Sequence, residues 1–304
     1  MVDISAIGGT TAASIGTPSR RWRLLSEAWS YGQCKAGVGL LLLLLLAALF
    51  WPLLSPYAAT KMAVADRFLP PAILSGTRWD HLLGTDQLGR DLFVRSLVGL
   101  QNALLIGIST VMLMFIIGSV VGIVAGYFGG AIDMMLMRIT DAQLSIPLII
   151  LAITILTVSR PTPVGVIVVL ALSGWPAYAR VTRSVTLAER RKEYVRGVRI
   201  LGASHLRIML LMIAPNILPP AAVVAVLDIA RMMIYEALLG FIGIGIQPPT
   251  PTFGNIIADG KKYLINAWWI ATMPGVFLFL SLFCINLIGS SLERARNRIW
   301  KGIV

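Results

Sequence analysis

Charge is what this sequence has least of. Asp, Glu, Lys and Arg make up 13% of its 304 residues, about half the ~25% of an ordinary soluble domain. That deficit excludes a soluble globular class, and a mean hydropathy of +0.82 points to a bilayer. Thiols and imidazoles are scarcer still, at two cysteines and two histidines. Cys34 and Cys284 adjoin or lie within apolar runs without a metal or redox spacing, so they read as inert small side chains. His81 and His205 fall in segments assigned to opposite membrane sides, which excludes a shared metal site. No Gly-x-x-x-x-Gly-Lys-Ser/Thr run occurs, so the chain does not itself hold a nucleotide by a phosphate-binding loop. No nucleophile–base or metal constellation converges, so neither a catalytic nor a metal site is expected.

Acids are also few, 14 against 26 Lys and Arg, which leaves a net charge of +12. Such an excess would suit nucleic acid if it covered a soluble face. Here the cations cluster at the ends of apolar runs, the pattern of membrane orientation, and nucleic-acid binding is excluded.

What is present is a series of lipid-length segments. Met1 to Thr17 is rich in Gly, Ser, Thr and Ala and predicts a disordered stretch. The leucine run from Gly37 to Leu54 follows Arg20, Arg21, Arg23 and Lys35. It starts too late for a signal peptide, is long enough to span, and reads as an uncleaved first helix. Five further spans are predicted: 102–126, 139–158, 164–179 ending near Trp175 and Pro176, 217–246 and 267–289. With the N-terminus inside, seventeen cations fall in inner segments and eight in outer ones, so both termini are expected in the cytoplasm.

Four segments stand out. In 81–100, Asp86 and Arg90, like Asp91 and Arg95, stand four apart beside an apolar stripe. That spacing predicts a helix lying on the membrane surface, with a solvated loop as the plainer alternative. In the fifth span, Asp228, Arg231 and Glu236 are costly at bilayer depth and become candidate translocation-pathway residues. A self-neutralised Asp228–Arg231 pair is the bland reading. In 240–255, glycines permit close helix approach, and Pro248, Pro249 and Pro251 stiffen an outer turn that shapes an external mouth. The cationic stretch 190–208 predicts a helix over 193–201 stopped at Gly202. Ser204 caps a second helix, 205–214, ended by Pro215. A basic membrane-surface helix and a partner-docking element both fit it.

This stretch resembles the inner-membrane permeases of ATP-binding-cassette (ABC) importers. Their motif reads Glu-Ala-Ala, three residues, Gly, nine residues, Ile-x-Leu-Pro. Arg196, Gly197 and Val198 stand at the first three positions, Gly202 at the glycine, and Met212, Ala214 and Pro215 at the end. The stretches 81–99, 193–204, 236–255 and 268–295 are similar, in order, to the C-type subunit of the dipeptide/oligopeptide/nickel permease family.

The resemblance implies an all-α polytopic membrane protein with six transmembrane helices, an N-terminal helix plus a five-helix core, in the type I ABC importer permease fold. The expected organisation is a cytoplasmic tail 1–36, a first transmembrane helix 37–55 and an extracytoplasmic loop with a surface helix 56–101. The permease core follows at 102–292, with a coupling loop at 180–215, and then a cytoplasmic tail 293–304. Arg196, Gly197, Val198, Gly202, Ala203 and Ser204 are implied to contact an ATPase, with Arg196 where the family has an acid. The implied partners are a homologous B-type permease, two cytosolic ATPases, an extracytoplasmic solute-binding protein and membrane lipid. ATP and Mg would bind the ATPases, leaving no cofactor and no enzymatic activity in this chain. The location implied is a bacterial inner membrane, and the cargo di- or oligopeptides. Nickel or metal chelates and opine- or glutathione-like solutes are the alternatives. A proton-coupled secondary transporter is disfavoured because no inverted repeat of spans and no intramembrane His are found.

Overall fold

The computed structural model describes residues 20–72, 81–158 and 161–300. The 1–17 stretch and the cations Arg78, Arg160 and Lys301 lie outside them. Among the described residues the structure is helical without strands. In order the helices are α1 (Arg20–Ser30), α2 (Gly32–Leu54), α3 (Leu92–Phe128), α4 (Gly130–Leu144), α5 (Leu148–Val158) and α6 (Pro163–Glu189). They continue with α7 (Glu193–Ile200), the single turn α8 (His205–Arg207), a π-helical stretch Ile208–Ile213, α9 (Ala214–Ile242), α10 (Phe253–Lys261) and α11 (Trp269–Trp300).

Four helices (α2, α3, α6 and α11) are long and apolar enough to cross a membrane. Two bent pairs raise the number to six if each pair is one span: α4 with α5 at 80°, and His205–Ile217 with Ala221–Ile242 at 64°. The expected third span is therefore a broken one. Pro147 disfavours helical geometry at Ile146 just before it, and a Ser145–Ile146 turn separates the two halves.

α3 is the central post, and three glycines fix its contact with α6. Gly118, Gly122 and Gly126 recur every fourth residue, hence on one face. Backbone oxygens of Trp175, Ala179 and Arg183 lie 2.6, 2.5 and 2.9 Å from where a Cβ would stand. Only a residue without a side chain lets the two helices approach so closely. Thr182 then donates across the seam to the Gly118 carbonyl at 3.2 Å. One apolar core joins α3, α5, α6 and α9, and a second joins α2, α3, α9 and α11.

Several expected boundaries shift for physical reasons. Residues 81–91 are not a surface helix, and α3 begins at Leu92. Gly84 and Gly89 adopt left-handed φ of 78° and 73°. Asp86 captures the backbone N–H groups of Leu88 and Arg90 with its own carboxylate, at 2.8 and 3.0 Å. That local capture competes with helix formation. α6 does not break at Pro176 but runs on to Glu189, because Arg180 and Arg183 find carboxylates on α4. Arg180 meets Asp141 at 2.7 Å, and Arg183 grips Asp133 with two bonds of 2.5 and 2.7 Å. Pro215 does not end a helix; the helical run continues through it into α9, with the π-helical stretch Ile208–Ile213 just before it. The first apolar helix starts at Gly32, and the segment before it is not all tail: α1 packs on α11 through the Arg298–Glu27 ion pair at 2.7 Å. The C-terminal segment is likewise helical through Trp300.

Candidate functional site

The loop between α6 and α9 carries the most distinctive local geometry. α7 is short and amphipathic, with Val195 buried and Arg196, Gly197 and Arg199 exposed. Leu201 closes its last turn, and Gly202 follows at φ +81°, a conformation that costs L side chains about 1–2 kcal/mol. Ser204 then caps the next turn by accepting from the Arg207 N–H at 3.4 Å. The helix–corner–helix shape expected from Gly202 and Ser204 is thus present. Its outcome is an apolar tip, with Ile200 and Leu201 each 85% exposed.

This tip stands on a firm mount. Glu189, the last residue of α6, accepts from the Lys192 ammonium and from the Tyr194 hydroxyl, both at 2.6 Å. Asn216 of α9 donates to the Tyr194 hydroxyl at 3.0 Å. One tyrosine therefore ties the end of α6, the start of α7 and the start of α9. Burial, followed by the bond to Glu189, pushes the Tyr194 hydroxyl up to about 12. Beneath the loop, Val195, Ile208, Met209, Ile213 and Tyr127 form a small core. Of the expected coupling residues, Arg196, Gly197, Gly202 and Ser204 are exposed, while Val198 and Ala203 are half-buried. In the sequence Tyr194, Ile200 and Leu201 stand out, with Val195 and Val198, as too many apolar residues for a solvated loop, but not as individual contact positions.

The three charges of α9 divide. Asp228 and Glu236 are each 1% exposed. Arg231 lies 2.8 Å from Asp228, yet its side chain is 59% exposed. The pair forms as its spacing predicts, but Glu236 stays apart from it.

At the opposite end, buried ions hold the 81–91 turn against α10. Asp86 receives Arg90 at 2.6 Å and Arg95 at 3.5 Å, and Arg90 reaches Asp259 of α10 at 3.5 Å. Asp91 caps α3 through the Val94 N–H and meets His81, both at 2.8 Å. Gly240 and Gly254 bring α9 and α10 together, and Thr252 and Asn255 close a reciprocal cap on α10. Asn102 donates to the Pro251 carbonyl at 2.8 Å, so the proline-rich turn is fastened to α3. Among the described residues no group of three potential ligands gathers for a metal ion.

An all-helical bundle with four membrane-length helices and two bent pairs is the architecture of a polytopic membrane protein. Residues 118–298 match the family described as binding-protein-dependent transport system inner membrane component, and the chain belongs to that family. The di/tripeptide transport system permease protein DppC of Pseudomonas aeruginosa is 37% identical over 275 residues, covering 89% of this chain and 91% of that protein. The dipeptide permease DppC of Escherichia coli is 36% identical, covering 89% and 92%. Among solved structures, an inward-facing MetNI methionine ABC transporter matches with a TM-score of 0.53 at 22% identity, over 67% of this chain and 95% of that one. The protein is thus a multi-pass inner-membrane permease subunit of the ABC importer type, as the sequence resemblance implied.

Proposed function

We propose that this chain forms half of the translocation pathway of a di- or oligopeptide importer, beside a homologous B-type permease. Two cytosolic ATPases supply the ATP and Mg chemistry, and an extracytoplasmic binding protein delivers the solute. The peptide assignment is supported by relatives named as di/tripeptide and dipeptide permeases, each covered over most of its length. Both termini lie in the cytoplasm on this reading, because most cations fall on that side.

The observation that carries the coupling role is the exposed Ile200–Leu201 tip at the left-handed Gly202 corner. Two large apolar side chains held out from a cationic loop gain by entering a groove on a partner. Gly197, Val198, Gly202, Ala203 and Ser204 surround that tip and complete the contact with the ATPase, with Arg196 at the edge of the contact, where an arginine-lined cavity begins. Movement of the ATPases is delivered through Glu189 to α6 and through Asn216 to α9. On α9, Arg231 projects out of an apolar helix. A cation facing lipid at mid-span would cost about 2.5–3.5 kcal/mol, which favours a wet path or the second permease on that face. Asp228 is its acidic counterpart, and Glu236 is a second buried acid on the same helix.

The test is co-purification of the full complex from membranes expressing all subunits. Ile200→Asp with Leu201→Asp should release the ATPases while the homologous permease stays bound. Retained ATPases and unchanged uptake of a labelled dipeptide would overturn the coupling assignment. Uptake of a nickel chelate but no peptide, in vesicles supplied with the binding protein, would overturn the substrate.

A further inference from the structure

Beside the coupling loop lies a cavity of about 340 Å³, separate from the Ile200–Leu201 tip. Arg190, Arg191, Arg196 and Arg199 line it, together with Tyr127, Phe128 and Val195. Such a density of like charge in one concavity is unfavourable unless something neutralises it. Among the described residues no carboxylate forms an ion pair with any of the four. Glu189, adjacent in sequence, accepts from Lys192 and Tyr194. Asp133, whose field reaches Arg190, is gripped by Arg183.

The guanidiniums are positioned rather than loose. Arg190 donates to the carbonyls of Gly126 and Tyr127 at 2.9 and 3.0 Å, closing the end of α3. Arg199 lies 5.4 Å over the Tyr127 ring and donates to its hydroxyl at 3.3 Å. That hydroxyl is fixed in turn by His205 Nδ1 at 2.8 Å. Arg191 and Arg196 are exposed at the rim, with donors left over for a ligand. Planar forks converging from several sides match the oxygens of a phosphate group.

The cavity's depth indicates the carrier of that phosphate. Met112, Ile116 and Val120 form an outward apolar face on α3, each more than half exposed, and that face ends at Phe128. Gly129 stops the helix at the same level, where Arg190 closes it. A cationic pocket at the point where that apolar face gives out suits a headgroup, and basic pockets between spans take anionic headgroups. We infer that the Arg190–Arg191–Arg196–Arg199 pocket binds the phosphate of an anionic phospholipid and fastens the base of the coupling loop to the membrane surface.

The experiment uses the full chain in neutral detergent, titrated with dihexanoyl-phosphatidylglycerol, dihexanoyl-phosphatidylcholine or inorganic phosphate, with bound adducts counted by native mass spectrometry. Phosphatidylglycerol should bind most tightly, because choline brings a cation into the arginine ring. Arg191→Gln with Arg196→Gln removes two charge-assisted contacts and should weaken that binding at least roughly tenfold. Both side chains are exposed, so the fold is retained, and Lys at both positions should restore part of the affinity. Lys261→Gln with Lys262→Gln, on α10 and just after it, should leave it unchanged. Equal binding of phosphatidylcholine, or no loss in the double Gln variant, would overturn the site. Inorganic phosphate binding as tightly as phosphatidylglycerol would overturn the lipid as its source. Loss of lipid binding once the ATPases are added would assign the pocket to the partner protein instead.

Discussion

The Tyr194 hydroxyl donates to Oε2 of Glu189 across 2.6 Å, and this bond joins a membrane-crossing helix to the exposed loop that follows it. Hydrogen bonds to charged groups are worth roughly 1.5–3 kcal/mol when buried, and less here because Tyr194 is 40% exposed. Tyr194→Phe should therefore lower the stability of the purified chain by about 1 kcal/mol. Its larger effect should be on uptake per ATP hydrolysed, since α7 loses its tie to α6 and α9. Unchanged stoichiometry in reconstituted vesicles would refute the mount.

The same bond predicts an alkaline limit. Burial raises the Tyr194 hydroxyl from its ordinary value near 10 to about 12. The folded state thus holds its proton more tightly than the unfolded one. The contribution is complete below about pH 10 and is lost as pH rises toward 12. Thermal melts across this window should show an alkaline decline that Tyr194→Phe makes shallower.

Gly202 has open space around it and a left-handed φ. A side chain is thus resisted by backbone conformation rather than by bulk, and Asp tolerates that conformation better than most residues. Gly202→Asp should insert and fold, yet place an unpaired carboxylate beside Leu201 on the docking face. Burying such a charge should cut uptake per ATP by at least roughly tenfold while hydrolysis continues. Normal transport in the complete complex would refute it.

Along the α3–α6 seam the constraint is volume. Gly122→Leu would drive a side chain into Thr182 and the Ala179 carbonyl. Overpacking of this kind costs about 1–3 kcal/mol or more. The variant should melt lower and accumulate poorly in membranes, whereas Gly275→Ala, with nothing within 4 Å, should behave as the parent.

On the opposite face, Asp86→Asn would leave Arg90 and Arg95 buried with their principal counter-charge gone. Breaking a buried pair costs roughly 3–5 kcal/mol. Proteolysis of the 81–91 turn in sealed, oriented vesicles should become markedly faster, and adding Arg95→Met should recover part of the loss.

The class of fold was legible because lipid enforces long uncharged runs, and the corner at Gly202 and Ser204 was legible because both residues act locally. The Asp228–Arg231 pair followed from helical spacing alone. The turn at 81–91 misled because Asp86 and Arg90 stand four apart in a helix and also in a carboxylate-centred turn; Gly84 and Gly89 were the signal that separates the two. The length of α6 was hidden because Arg180 and Arg183 look like a membrane boundary until Asp133 and Asp141 fold back beside them. The Gly118–Gly122–Gly126 stripe was available as small residues at fourfold spacing, but its partner face on α6 carries no matching pattern. The exposure of Ile200 and Leu201 is a property of how α7 seats on its small core, which no local pattern encodes.

Because α6 runs unbroken from Pro163 to Glu189, it measures about 40 Å at 1.5 Å per residue. A stiff rod of that length converts small tilts into large strokes. Rotation by about 10° at its Glu189 end swings the far end by roughly 7 Å, comparable to the width of an extended peptide. With no break along its length, such a tilt would be carried from one end to the other without any helix having to unwind.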